Sequence, residues 1–319
     1  MNFMARRALG MLPRLIAASM LTFLLLNLLP GDPTITILGP AAAIPEARES
    51  LRKKLALDKP IPVRYVKWLG NVVLHGDLGK SYARNIPVVT EIRRKFPRTL
   101  ELMIFAIGVS LIFAIPLGVW SAYRSGTRSD GVINGIATIF IGVPGYVLGI
   151  VALFLFAVKF RTFPASYKPA NQYGYLLHFR SLVMPVGVLA AGLIPIFIRV
   201  LRTEMVGTLS EDFITMARSK GISDGRILVR HALRPSSFAL MTVAGLNVGA
   251  LIGGALIVEN IFQAQGLGTY LVVSTFQREY LNVQGCVLIV TVGYVLVNIL
   301  VEVLYGVLDP RIRHARAIA

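Results

Sequence analysis

Six apolar runs, separated by polar segments of unequal length, lay out the chain. Each is long enough to form an α-helix crossing about 30 Å of hydrocarbon, which takes about 20 residues. They lie near Leu9–Leu29, Leu100–Trp120, Val132–Val158, Leu182–Ile198, Phe238–Val258 and Val283–Leu308. The pattern predicts an all-α integral membrane protein with six transmembrane helices. Pro116, Pro144, Pro185 and Pro195 interrupt three of the runs, and Gly253–Gly254 a fourth. Such breaks are tolerated where a membrane helix packs on neighbours or faces a cavity. Gly249, Gly253 and Gly254 would also let helices approach closely. The first run follows Arg6 and Arg7, as a signal core would, but no small-x-small cleavage site follows it at Leu28–Pro33. It reads as an uncleaved first helix.

The polar segments divide the chain further. Residues 1–30 form the N-terminal tail and first span. Residues 31–97 form a small extracytoplasmic subdomain, and residues 98–319 a five-helix core with a cytoplasmic loop at 203–236. Within the subdomain, Glu46–Leu57 and Tyr65–Leu74 read as amphipathic helices separated by Pro60 and Pro62. The segment is too small for a core of its own, so it is expected to pack on the membrane face. Lys and Arg favour the cytoplasmic side of this topology, with both termini inside, only when the first loop is set aside. Loops of that length translocate largely regardless of charge.

The longest polar stretch in the C-terminal two thirds is Ser210–Pro235, and it has the grammar of two short helices joined at a glycine. Thr208 with Glu211 fits a capping box, and Phe213, Met216 and Ala217 fall on one face of the helix that follows. Gly221 sits where a left-handed residue would end that helix. Ser223 can cap a second helix with Asp224 and Gly225 in its first turn, and Pro235 limits its end.

Composition narrows the chemistry. The chain is 55% hydrophobic with a net charge of +17. The basic residues sit mainly beside apolar runs, so they read as membrane flanks and not as a nucleic-acid stripe. One cysteine, Cys286, excludes a disulfide framework, and His75, His178, His231 and His314 have no metal-ligand spacing. Gly76-Asp77-Leu78-Gly79-Lys80-Ser81 resembles the end of a phosphate-binding loop. The pattern requires glycine where Leu74 stands, and Asn85 and Pro87 interrupt the helix that should follow. No catalytic constellation is found, so the chain does not read as an enzyme. Among polar residues in or beside the spans, Asn247, Glu259 and Asn260 are candidates for a passage or gate. Glu302 and Asn298 lie in the sixth span, and Glu302 reads as a partner in interhelical hydrogen bonds or a subunit contact.

Several stretches, in order and along the whole chain, resemble one family. Ala217-Arg218-Ser219-Lys220-Gly221, then nine residues, then His231-Ala232-Leu233-Arg234-Pro235 is similar to the EAA loop of ABC-importer permeases of the dipeptide and oligopeptide type. Leu55–Pro60, Trp68–Asn71 and Gly76–Ser81 are similar to that family's outer loop. Val258–Phe262, Gly266–Gly268, Val283–Gly285 and the ending Leu308–Arg313 follow it too. The EAA triplet falls on Thr215-Met216-Ala217, and Arg234 stands where proline is usual. Ser236-Ser237 and Gln263-Ala264-Gln265 are less typical, which leaves nickel-chelate and glutathione importers as alternatives for the substrate. The resemblance implies the type I importer permease fold. It also implies a second homologous permease subunit, two ATP-binding subunits that bind ATP and Mg, and an extracytoplasmic substrate-binding protein. It assigns no cofactor to this chain. The ATPase-coupling residues it implies are Glu211, Thr215, Met216, Ala217, Arg218, Ser219, Lys220 and Gly221. Two other readings stay open: a stand-alone channel or ion-coupled transporter, and an ATP-hydrolysing enzyme built on Gly76–Ser81.

Overall fold

The computed structural model describes residues 3–28, 33–54, 56–82 and 84–308. Pro30, Leu55 and the ending Asp309–Arg313, used above, lie outside the described residues, as does the side chain of Glu302. The helices run in the order α1 Phe3–Leu28, α2 Pro33–Leu38, α3 Pro45–Lys54, α4 Ile61–His75, α5 Val88–Tyr123, α6 Arg128–Gly142 and α7 Gly145–Ala152. They continue with α8 Ala170–Tyr173, α9 Tyr175–Leu209, α10 Asp212–Ser219, α11 Asp224–Arg226, α12 Leu233–Ile261, α13 Leu267–Phe276 and α14 Tyr280–Leu308. Gly39–Ala43 forms a 3₁₀ turn, and Leu153–Lys159 and Ile227–Ala232 are π-helical. Lys80 and Pro87 make an isolated antiparallel bridge.

Among the described residues, four helices are long and apolar enough to cross a membrane: α5, α9, the continuous run Asp224–Ile261 and Tyr280–Val301 of α14. A bent pair makes a fifth only if its two arms count as one span. The third apolar run is not one straight span, because α6 and the helix Gly145–Lys159 meet at 95°. Val143 (φ −91°, ψ 121°) and Pro144 (φ −58°, ψ 137°) are both extended there. A residue before proline is pushed out of the α region, and proline offers no N–H to the preceding turn. At the place of the first run, α1 is apolar over Pro13–Leu25, shorter among the described residues than a full crossing.

The chain forms two compact units. One comprises Met1–Arg98 with Gln265–Val295, the other Thr99–Ala264 with Leu296–Ala319. In the first, Phe23, Tyr65, Trp68, Leu78, Val88, Ile92, Leu267 and Cys286 make the core. Gly285 is required there, because a Cβ at that position would meet Val88 Cγ1 at 2.8 Å. The second unit is built around α9, which carries the fully buried Phe197, Leu201 and Met205. Its apolar stretch is 67% buried against protein, whereas that of Asp224–Ile261 is 28% buried. Thus α9 is the central helix of this unit.

Candidate coupling site

The predicted hairpin forms, with three corrections. Thr208 is no N-cap: the apolar face that buries Leu201 and Met205 carries α9 on through Leu209. The Thr208 hydroxyl instead meets Ser236 Oγ at 3.1 Å, and Glu211, extended at φ −71° and ψ 148°, occupies the N-cap position of α10. Second, Phe213 and Met216 do not share the inward face with Ala217. Ile214 and Ala217 point inward onto Ile227, Leu209 and Ile222, leaving Phe213 42% and Met216 55% exposed. Third, Pro235 does not end the second helix. The helical run instead continues from Asp224 to Ile261, and Pro235 is accommodated just past the π turn Ile227–Ala232, which shifts the hydrogen-bond register.

The turn between the two helices is a complete Schellman closure. Gly221, at φ +75°, donates its N–H to the Arg218 carbonyl at 2.9 Å, and Ile222 donates to Ala217 at 3.2 Å. Ile222 then packs into the small core beside Ala217, the contact that usually accompanies this motif. Asp212 in the first turn of α10 and Arg218 in its last turn complement the helix dipole. Ser223 occupies the cap position of α11 by backbone conformation, without a side-chain capping bond.

Of the residues assigned to coupling, Ala217 is buried inside the hairpin. Glu211, Thr215, Met216, Arg218, Ser219, Lys220 and Gly221 are exposed along its outer edge. The result is a small apolar patch, Phe213 and Met216, ringed by charge. Its size and composition suit the hot-spot anatomy of a protein interface.

Contacts invisible to sequence reasoning tie the hairpin to the spans. Tyr123 Oη, on the last residue of α5, donates to Asp224 Oδ2 at 3.1 Å, and Arg218 Nε lies 4.0 Å from Asp224 Oδ1. Seven residues before α9 ends, Arg202 grips the buried Asp130 with Nε to Oδ1 at 2.7 Å and Nη2 to Oδ2 at 2.6 Å. Ser121 Oγ (2.6 Å), Asn134 Nδ2 (2.7 Å) and the Gly126 N–H (3.0 Å) also donate to that carboxylate. One carboxylate thereby joins α5, α6 and α9. A lone acid in a short basic loop was the only sequence signal for it.

The three passage candidates do not converge. Asn247 is half-buried and donates Nδ2 to the Val243 carbonyl of its own helix. Asn260 is exposed and donates likewise to Leu256. Glu259 is fully buried and accepts from Thr99 Oγ1, linking α12 to α5. The phosphate-loop lookalike opens no helix: α5 starts only at Val88, after the Lys80–Pro87 bridge. The Ser81 hydroxyl and the Tyr82 N–H, which a phosphate would need, donate to the Glu279 carboxylate at 3.0 and 2.8 Å. Among the described residues, no group of three His, Cys, Asp or Glu side chains is placed to hold a metal ion.

Residues 114–314 match the family described as binding-protein-dependent transport system inner membrane component. The chain belongs to that family. Residues 1–103 match the N-terminal part described for the same systems. A putative peptide transport system permease protein of Brucella abortus (strain 2308) is 37% identical over 312 residues, 97% of this chain and 98% of the relative. The dipeptide transport system permease protein of Escherichia coli K12 is 33% identical over 339 residues, covering 99% of this chain and all of the relative. A putative peptide permease protein of Brucella ovis is 32% identical over 98% of this chain. As a member of this family with four helices among its described residues long and apolar enough to cross a membrane, the chain is a multi-pass inner-membrane transport component.

Proposed function

We propose that the chain is one of two permease subunits of an ATP-driven importer that passes di- or oligopeptides across the cytoplasmic membrane. Both of its termini lie in the cytoplasm. An extracytoplasmic binding protein delivers the peptide, and two ATPase subunits bind ATP and Mg. The observation that carries the coupling role is the Schellman-closed hairpin, which holds Phe213 and Met216 outward within a ring of charge. In this reading the patch seats in an ATPase cleft, with Glu211, Thr215, Arg218, Ser219 and Lys220 as polar contacts. Closure of the ATPases pulls on the hairpin, and the Tyr123–Asp224 bond and the Asp130–Arg202 junction pass the movement to α5, α6 and α9 as a rigid-body shift. The names of the relatives support peptide as the cargo.

The test is affinity purification of the tagged chain from native membranes, beside a Phe213→Ala/Met216→Ala variant. The parent is expected to bring down a second permease and one or two ATPases. The variant should lose at least ten-fold of the ATPase signal, keep the second permease, and melt at the same temperature, since both side chains are largely exposed. Recovery of the chain alone, active in reconstituted vesicles without ATP, would sink the proposal in favour of a stand-alone transporter.

A further inference from the structure

Helix α4 has three faces where a surface helix has two. At about 100° per residue, Ile61, Tyr65, Trp68 and Val72 share one arc and are buried or partly buried. Arg64, Lys67 and Asn71 form a second, polar arc. Val63, Val66, Val73 and Leu74 form a third, with Gly70 among them. These four apolar side chains are 51, 67, 73 and 77% exposed.

Three observations bear on what covers the third arc. Tyr65 Oη lies 2.8 Å from Ser19 Oγ and donates to the Ile16 carbonyl at 3.2 Å. Those residues are two to three turns short of the end of α1 at Leu28, so α4 lies alongside the apolar part of α1 and not above it. There, Leu21 and Leu25 of α1 are themselves 58 and 56% exposed. Next, the arc holds only valine, leucine and glycine. The aromatic anchors that protein interfaces favour, Tyr65 and Trp68, are turned inward, and Lys67, a residue type depleted from interface cores, borders the arc. Finally, the polar arc opens into a cavity of about 350 Å³. Arg64, Lys67 and Lys80 line it with Asn71 and Asn85. Asp77 lines it too, its Oδ1 accepting from the Gly79 N–H at 2.8 Å, and the Glu279 carboxylate lies behind Ser81 and Tyr82 of its wall.

We infer that α4 lies in the outer leaflet as an in-plane helix, and that a phospholipid is its partner. The acyl chains cover Val63, Val66, Val73 and Leu74, and the phosphate of the head group occupies the cavity of Arg64, Lys67 and Lys80. Interfacial helices owe their binding to this combination of buried apolar area and attraction between basic residues and lipid phosphate. The cationic remnant of the phosphate-loop lookalike, Lys80, thus serves an anion held outside the membrane core instead of a nucleotide. The inference rests on α1 being in the membrane and not on the identity of the cargo.

The test places bimane on Val66→Cys or Val73→Cys in the full chain, purified with its co-purifying subunits into nanodiscs. Cys286 is buried, and signal from other subunits is subtracted with the unsubstituted assembly. Nanodiscs with brominated acyl chains are expected to quench both labels at least two-fold, and aqueous iodide hardly at all. Glu49→Cys on α3, an exposed position, is expected to behave in the opposite way. Native mass spectrometry should find a retained phospholipid that the Arg64→Gln/Lys67→Gln/Lys80→Gln variant loses while the bromolipid quenching persists. Quenching by iodide alone would overturn the inference, leaving the arc in water and open to the delivery protein. Quenching by neither would also overturn it, with a protein subunit covering the arc. Equal lipid retention by the triple variant would refute the head-group site.

Discussion

Replacing Gly221 with valine is expected to lower uptake at least ten-fold while the chain still reaches the membrane in normal amount. The cause is conformational. Gly221 sits at φ +75°, and a Cβ built there meets nothing within 4 Å. A side chain therefore clashes with no neighbour but must hold a left-handed backbone, which costs an L-residue roughly 1–2 kcal/mol, more when it is β-branched. The Schellman bonds of Gly221 and Ile222 cannot form without that backbone. A short helix of eight residues has little else to hold it. The substitution series separates the explanations. Asparagine tolerates the left-handed region better than alanine, so uptake is expected to fall in the order Gly, Asn, Ala, Val. The open space over Gly221 admits another cause, in which a partner surface closes on the bare Cα. Under that cause size would decide, and alanine would outperform asparagine. Vesicle uptake with the parent and the three variants, normalised to the chain present, decides between them.

Asp130→Ala is expected to destabilise the second unit by about 2–4 kcal/mol, seen as a drop of several degrees in the melting temperature of the purified assembly. Asp130 is 5% exposed and accepts from two nitrogens of Arg202, from Ser121, from Asn134 and from the Gly126 N–H. Removing it leaves a guanidinium 27% exposed and several donors facing a void. Losing one partner of such a pair costs more than losing both, because the survivor's desolvation is no longer compensated. Asp130→Leu with Arg202→Met is therefore expected to be more stable than Asp130→Ala alone, although both acid and base are gone. An unchanged melting temperature for Asp130→Ala would show that the junction does not hold the three helices together. If the double variant regains stability without regaining uptake, the pair serves to transmit movement beyond its contribution to folding.

How much of this was legible in the sequence depends on the range of the deciding interaction. The long spans were legible because an uninterrupted apolar run dictates helix in lipid whatever its neighbours do. Gly221 was legible because a left-handed turn has few candidate residues. Proline was ambiguous: Pro185 and Pro195 are carried inside α9, whereas Pro144 marks a 95° bend. Nothing local distinguishes a proline whose lost bond is compensated by packed neighbours from one that breaks the chain. The inward face of α10 was misread because Ile227, ten residues past Ala217, selects Ile214 over Phe213. Asp130 and Arg202 stand 72 positions apart, and no periodicity connects them. The apolar pattern of α4 was read as two-sided because hydrophobicity alone does not separate a residue packed on protein from one turned to lipid.

The π turn at Ile227–Ala232 stands between the hairpin and the helix that follows it. One surplus residue in a helical turn advances everything beyond it by about 100°. The bearing of the hairpin relative to α12 is therefore stored as an angular phase, independent of the chemistry of the docking surface or of the apolar surface of the span. Loss of one residue in that turn would reset the phase in a single step and leave every contact residue intact. A change in chain length, invisible to any comparison of residue types, is thus enough to re-aim the hairpin.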